Sequence, residues 1–212
     1  LLKLSYATGF RSPSINQLFD PDYGNLDLNP ETSQSTELSL EKKWNSNLQS
    51  TISLFYTKID NRLSYDPKTY INKNNGQAEI IGAEQSAQVK WLKELEQSLS
   101  LTLLKTRDLS LGKKLARRPD FNLKNHFLYS ISDHYTVDYE FVYVGKRLDI
   151  DNNGYDVQND AYNLSHLNIR YALDNNKELY LKIKNLFNTD YEEIYGFGTG
   201  GRALTIGAHC QF

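Results

Sequence analysis

Methionine is absent from this chain of 212 residues, and cysteine occurs once, as Cys210. A single thiol excludes an internal disulfide and a cysteine metal cluster. No stretch approaches the roughly 20 consecutive apolar residues of a membrane helix, and the mean hydropathy is -0.60. A barrel that crosses a membrane with strands escapes that test, because every second residue of such a strand faces water. Charge of one sign is also lacking: 24 Lys and Arg against 26 Asp and Glu leave a net charge of -2. The cations are scattered, so nothing points to nucleic acid. No leader segment opens the sequence and Leu1 stands inside a strand pattern, as expected of a piece of a longer precursor.

Aromatic residues, in contrast, are abundant. Fifteen Tyr and nine Phe fit girdles at two membrane interfaces, or an all-β soluble domain. At the end of the chain Leu204, Ile206, Ala208, Cys210 and Phe212 alternate with Thr205, Gly207, His209 and Gln211. A period of two marks a strand with one apolar and one polar face. His209 and Gln211 suit the wet lumen of a membrane barrel better than the packed core of a sandwich. The pattern recurs at Leu2 to Thr8, Thr36 to Trp44, Ile52 to Tyr56, Ile81 to Trp91, Leu99 to Leu103, Phe121 to Ile131, Tyr135 to Tyr143, Leu167 to Tyr171 and Leu179 to Ile183. That makes about ten strands.

The connections between them differ in length. Short turns at 45–47, 93–97, 132–133 and 174–176 alternate with long loops at 9–32, 60–76, 108–118, 148–160 and 188–200. One end of the sheet carries tight turns and the other carries large loops, which is the pattern of an all-β, transmembrane antiparallel barrel with periplasmic turns and extracellular loops. It places Phe212 on the periplasmic side. An up-and-down soluble sandwich is the alternative.

The residues also resemble a known family. Tyr6-Ala7-Thr8-Gly9-Phe10-Arg11-Ser12-Pro13, Asn16-Gln17-Leu18-Phe19, Asn25 to Thr32 with Glu37, Ala78 to Glu84, and Lys184-Asn185-Leu186-Phe187-Asn188-Thr189-Asp190-Tyr191 are similar, in order, to motifs of TonB-dependent outer-membrane receptors. Within that family the chain looks most like the receptors for vitamin B12 (cobalamin). Leu115-Ala116-Arg117-Arg118, Tyr143-Val144-Gly145-Lys146-Arg147 followed by an Asp, and Tyr191 to Phe197 leading to Gly201-Arg202 carry that likeness. The resemblance implies a barrel of roughly 22 strands with a plugged lumen, of which residues 1–212 supply the C-terminal ten or so strands. It also implies a bacterial outer-membrane location, a ligand held between plug and loops, and uptake driven by the TonB complex through an N-terminal region that this chain lacks. Such a fragment is expected neither to close the native barrel nor to transport alone; closure of ten strands into a smaller barrel is the alternative.

Strand parity extended upward from Phe121, Leu123 and Phe127 sets Arg117 outward and Arg118 towards the lumen. Arg118 is then placed to donate to amide or phosphate groups of a corrinoid, or to pair with a plug carboxylate, and in the resembling receptors an arginine at this place lies near plug and substrate. A solvated loop arginine is the plainer reading. Tyr155, Tyr162 and Phe197 offer rings to an apolar ligand face, or serve loop packing. Asp149, Asp151, Asn153 and Asp160, with Gly154 between, match the spacing of a calcium loop except that Asp replaces the final Glu. The shorter reach of Asp160 and the flanking strands favour a solvated Asp/Asn turn segment instead. The resembling cobalamin receptors do use calcium, on earlier strands. No other cofactor is expected.

Catalysis has no support. The four His are dispersed, with His126, His134 and His209 on lumen parity and His166 lacking a suggestive partner, and no nucleophile elbow, phosphate loop or HExxH occurs. Asp138 and Glu140 with Lys182 and Lys184 read as a charged ladder on a hydrated wall. Three functions follow: an energy-coupled cobalamin receptor, a receptor of the same build for a ferric siderophore, or a passive porin or small barrel enzyme.

Overall fold

The computed structural model describes residues 1–66 and 69–211; Phe212, assigned above to the last strand, lies outside them. In chain order the elements are β1 (Leu2–Arg11), α1 (Ile15–Phe19), β2 (Glu31–Lys43), β3 (Leu48–Asp66), β4 (Ile71–Lys90), β5 (Leu95–Asp108), β6 (Phe121–Ser130), β7 (Tyr135–Val144), β8 (Arg147–Ile150), β9 (Asp156–Asn159), β10 (Tyr162–Asp174), β11 (Lys177–Lys184), β12 (Glu192–Ile194), β13 (Phe197–Gly198) and β14 (Ala203–Cys210). Ten of them form one sheet in the order β1-β2-β3-β4-β5-β6-β7-β10-β11-β14, antiparallel throughout. Among the described residues β1 and β14 do not pair with each other. No described helix is long and apolar enough to cross a membrane.

The register assigns the two faces. Leu4, Leu38, Leu54, Ala83, Leu103 and Phe121 lie in one row across six strands, and Tyr139, Leu167 and Ile183 belong to the same face further along. Many of these side chains are exposed, as befits a face whose solvent is lipid. Trp44, Trp91, Tyr129 and Tyr135 flank the short turns on this face, and Tyr135 packs on Tyr171 at 4.6 Å. The opposite face is polar and half-buried, with Ser35 bonded to Thr57 at 2.9 Å and Ser39 to Ser53 at 2.8 Å. Two large side chains there cover glycines directly across the register: Phe55 over Gly82 and Tyr180 over Gly207. A Cβ at either glycine meets the ring well inside van der Waals distance.

The long connections contain more order than alternation alone predicts. The segment 60–76, expected as a loop, is mostly strand, because β3 and β4 continue to Asp66 and from Ile71. Beyond the bilayer both faces of a strand meet water, so apolar alternation is not required of it. The hairpin bends at Asn61, which adopts a left-handed φ of 56° where the register shifts between Ile59 and Arg62. The segment 9–32 holds α1, started by a capping box between Ser14 and Gln17. The segment 188–200 contains the hairpin β12–β13, and 148–160 is largely the hairpin β8–β9, which starts one residue earlier at Arg147.

Candidate loop cluster at the mouth of the sheet

Three long connections, 109–120, 145–161 and 185–202, meet around one carboxylate. Asp149 on β8 has no exposed surface, and both of its oxygens are occupied. Oδ1 accepts from Arg117 Nε at 2.8 Å and from the Ile150 N–H at 2.8 Å. Oδ2 accepts from the Tyr195 N–H at 2.9 Å and from Asn159 Nδ2 at 3.3 Å. A buried carboxylate is stable only when its lone pairs are met in this way. Burial alone raises the pKa of Asp149, but the Tyr195 N–H, the Arg117 guanidinium and the Ile150 N–H outweigh it and hold the carboxyl below its ordinary value. Arg117 adopts a left-handed φ of 60° and donates its own N–H to the Leu148 carbonyl at 2.7 Å. That backbone is uncommon for a bulky residue, and the ion pair with Asp149 helps to hold it.

Arg147, two residues before Asp149, is also buried. Its Nη2 donates to the Glu193 carbonyl at 2.9 Å and to that of Glu192, which fastens β12 to β8. The guanidinium lies over the ring of Tyr162 at 5.4 Å, and Tyr162 packs on Tyr191 at 4.5 Å. Lys113 reaches Asp156 at 2.6 Å. At the foot of the last loop Asn185 exchanges bonds with Thr189, at 2.8 and 2.9 Å, and takes the left-handed φ that closes the Asn-Leu-Phe-Asn turn. Its N–H donates to His166 Nδ1 at 3.1 Å, so that histidine does have a partner.

The proposed site residues divide between this cluster and its surface. Tyr162 is inside, where it supports Arg147 and Tyr191. Tyr155 and Phe197 are exposed at the turns of the two hairpins, 69% and 63% respectively, and among the described residues no ring contact joins either to Tyr162. Arg118 is exposed and, among the described residues, donates only to the Arg117 carbonyl, at 3.1 Å. Parity does not carry upward from β6, because 116–117 form a turn below which the strand begins only at Phe121. The arginine beside it, Arg117, makes the buried contact.

The set Asp149, Asp151, Asn153 and Asp160 does not fit a calcium loop. Asp149 spends both oxygens on protein donors. Asp151 caps the β8–β9 turn by accepting from the Asn153 and Tyr155 N–H groups at 2.9 and 2.8 Å. Asp160 points to Lys146 at 3.4 Å. Among the described residues no group of three or more His, Cys, Asp or Glu is placed to hold a metal ion.

Below the cluster the polar face is charged, but Asp138 and Glu140 pair with His126 and Lys124 on the neighbouring strand rather than with Lys182 and Lys184. His126 Nε2 bonds Asp138 Oδ1 at 2.8 Å, Lys124 pairs with Glu140 at 2.5 Å, and Lys182 lies over the Tyr180 ring at 4.7 Å. An open recess of 580 Å³ there is bordered by Glu140, Tyr162, His166, Lys182, Lys184 and Tyr191. His134 departs from its lumen parity: it sits in the β6–β7 turn, bonds the Ala172 carbonyl at 2.9 Å and packs against Tyr171 of the apolar face.

An antiparallel sheet with a lipid-type face, a polar face, tight turns at one end and fastened loops at the other defines a transmembrane barrel of the outer-membrane class. The chain belongs to the family described as TonB dependent receptor-like, beta-barrel, which matches residues 1–186. That family is made up of receptors and transporters of the bacterial outer membrane. The chain is 33% identical, over its full length, to the vitamin B12 transporter BtuB of Vibrio cholerae serotype O1, and it covers 34% of that protein. It therefore spans about a third of the length of the curated relatives it matches. Its fold is that of the copper transporter OprC (TM-score 0.84, 19% identity, all of this chain and 37% of that one). It is also that of the siderophore receptor PirA from Acinetobacter baumannii (0.82, 18%, 39% of that chain) and of the ferripyoverdine receptor from the outer membrane of Pseudomonas aeruginosa (0.80, 21%, 31%).

Proposed function

We infer that residues 1–212 are the C-terminal part of the barrel of a receptor that binds cobalamin at its extracellular mouth and imports it with energy delivered by the TonB complex. The lumen of the whole barrel is then filled by a plug contributed from elsewhere in the protein. The observation that carries the ligand is the 33% identity to a vitamin B12 transporter along the entire chain. The structural neighbours named above, at 18–21% identity, share the fold and say nothing of the ligand.

In this reading the loop cluster is a prebuilt rim. Asp149 and Arg147 hold three loops in place, so the ordering cost is met before ligand arrives. Tyr155 and Phe197 offer ring faces and Arg118 offers a charged donor to the corrinoid; what supports the placement is their exposure on a fastened scaffold. Calorimetric titration of the full-length receptor with cyanocobalamin, and separately with ferric siderophores, tests this. Submicromolar binding of cyanocobalamin, weakened about tenfold by Arg118→Ala through loss of one charged hydrogen bond, is the expected result. Binding of a ferric siderophore alone moves the ligand to that class and ends the cobalamin reading.

A further inference from the structure

On β5 the outward face changes chemistry at one height. Leu99, Leu101 and Leu103 belong to the apolar band, and the period of two brings Lys105 and Arg107 outward after them, while the alternate residues Thr106 and Asp108 are buried. The register fixes how high they stand. Lys105 is in a row with Ile81 and Tyr56, and Arg107 is in the next row with Glu79 and Lys58. Tyr56 is the amphipathic kind of residue that marks a membrane interface, and its hydroxyl donates upward to Glu79 at 2.9 Å. Lys105 therefore stands where lipid chains give way to head groups, with Arg107 about 7 Å beyond it.

Both cations are exposed, and among the described residues neither forms an ion pair or a side-chain hydrogen bond. The carboxylates of this face are engaged on the side away from them: Glu79 holds Tyr56, and Asp60 holds Lys58 at 3.1 Å and Gln77 at 2.9 Å. On the other flank β6 starts only at Phe121, opposite Leu103, and above it the segment 113–120 runs alongside, bonded to Leu104, Thr106 and Asp108, with its carboxylate Asp120 held by Lys114.

We propose that Lys105 and Arg107 form a docking site for phosphate-bearing lipid head groups of the outer leaflet. The patch is continuous with the lipid-facing band: chains lying on Leu101 and Leu103 bring a head group to the height of the two cations. Arg107 supplies a planar fork for a phosphate and Lys105 a mobile point charge. The long loops mark this end as extracellular, which assigns the outer leaflet.

The full receptor, reconstituted in phosphatidylcholine bilayers, is photo-crosslinked with either a photoreactive phosphatidic acid or a photoreactive phosphatidylcholine, and adducts on residues 99–118 are quantified. The expected result is enrichment of phosphatidic acid at this segment, reduced about five-fold for each cation removed in Lys105→Gln, Arg107→Gln and the double variant. All three variants are checked for heat-modifiable migration of a folded barrel. Equal yields for the two lipids in the unsubstituted receptor, or enrichment that survives in the folded double variant, overturn the proposal. Loss of enrichment on adding equimolar inorganic phosphate also overturns it, since the patch would then be an anion site indifferent to lipid.

Discussion

Asp149 has no free acceptor, because its four hydrogen bonds come from β8 itself, β9, the β12–β13 hairpin and the loop before β6. Asp149→Asn keeps the shape but turns one acceptor into a donor facing donors. It should cost the cluster about 2 kcal/mol. Hydrogen exchange at the Tyr195 amide should quicken about thirty-fold at fixed pH, and an unchanged rate would show that the loops are held by something else. The same carboxyl gives a pH dependence. Its folded pKa is depressed, so its stabilisation is complete above the unfolded value of about 4 and is lost as pH falls through the lower folded value. A spin label at Gly200→Cys, in a Cys210→Ser background, should stay ordered from neutral pH down to about 4 and loosen only below it. A second residue-scale outcome concerns Gly82, which lies under Phe55. Gly82→Ala should cost about 1–3 kcal/mol in urea unfolding, and Phe55→Leu should recover most of it; additive losses would contradict the close approach.

At the scale of elements, legibility followed the solvent. Where one face meets lipid and the other water, alternation marks a strand plainly, and the ten strands of the sheet were readable from residues such as Leu38, Leu54 and Leu181. Above the bilayer both faces are wet. Arg62 to Asp66 and Ile71 to Gly76 then lose the signal although they remain strand, and so do β8 and β12. The tight turns were readable from Asn45-Ser46-Asn47 and Asp174-Asn175-Asn176, since these side chains cap their own backbone: Asn45 Oδ1 accepts from the Asn47 N–H at 2.8 Å, and Asp174 Oδ1 from that of Asn176 at 2.9 Å. The loop cluster was only half visible. Arg117, Arg147 and Asp149 all stood in the motifs quoted for the family resemblance, but their pairing is set by a left-handed backbone at Arg117 and by contacts between distant loops. Spacing alone made Asp149 look like a metal ligand, because an isolated row of carboxylates carries no sign of the donors that other segments bring.

At the scale of the molecule, one face repeats from β1 to β14 without interruption, and this continuity makes the chain a wall of an outer-membrane barrel. The loops on one end are knotted through buried charges, whereas the turns on the other are short and capped by their own side chains. In the proposed reading this rim presents Tyr155, Phe197 and Arg118 on a fastened scaffold, and the wet inner wall faces the plug. Uptake of cobalt-labelled cyanocobalamin into cells that lack their own cobalamin receptor tests the whole account most directly. The full-length protein should restore saturable uptake that disappears when TonB is removed. Absence of uptake, with the folded receptor present in the outer membrane and TonB intact, would contradict cobalamin as its cargo.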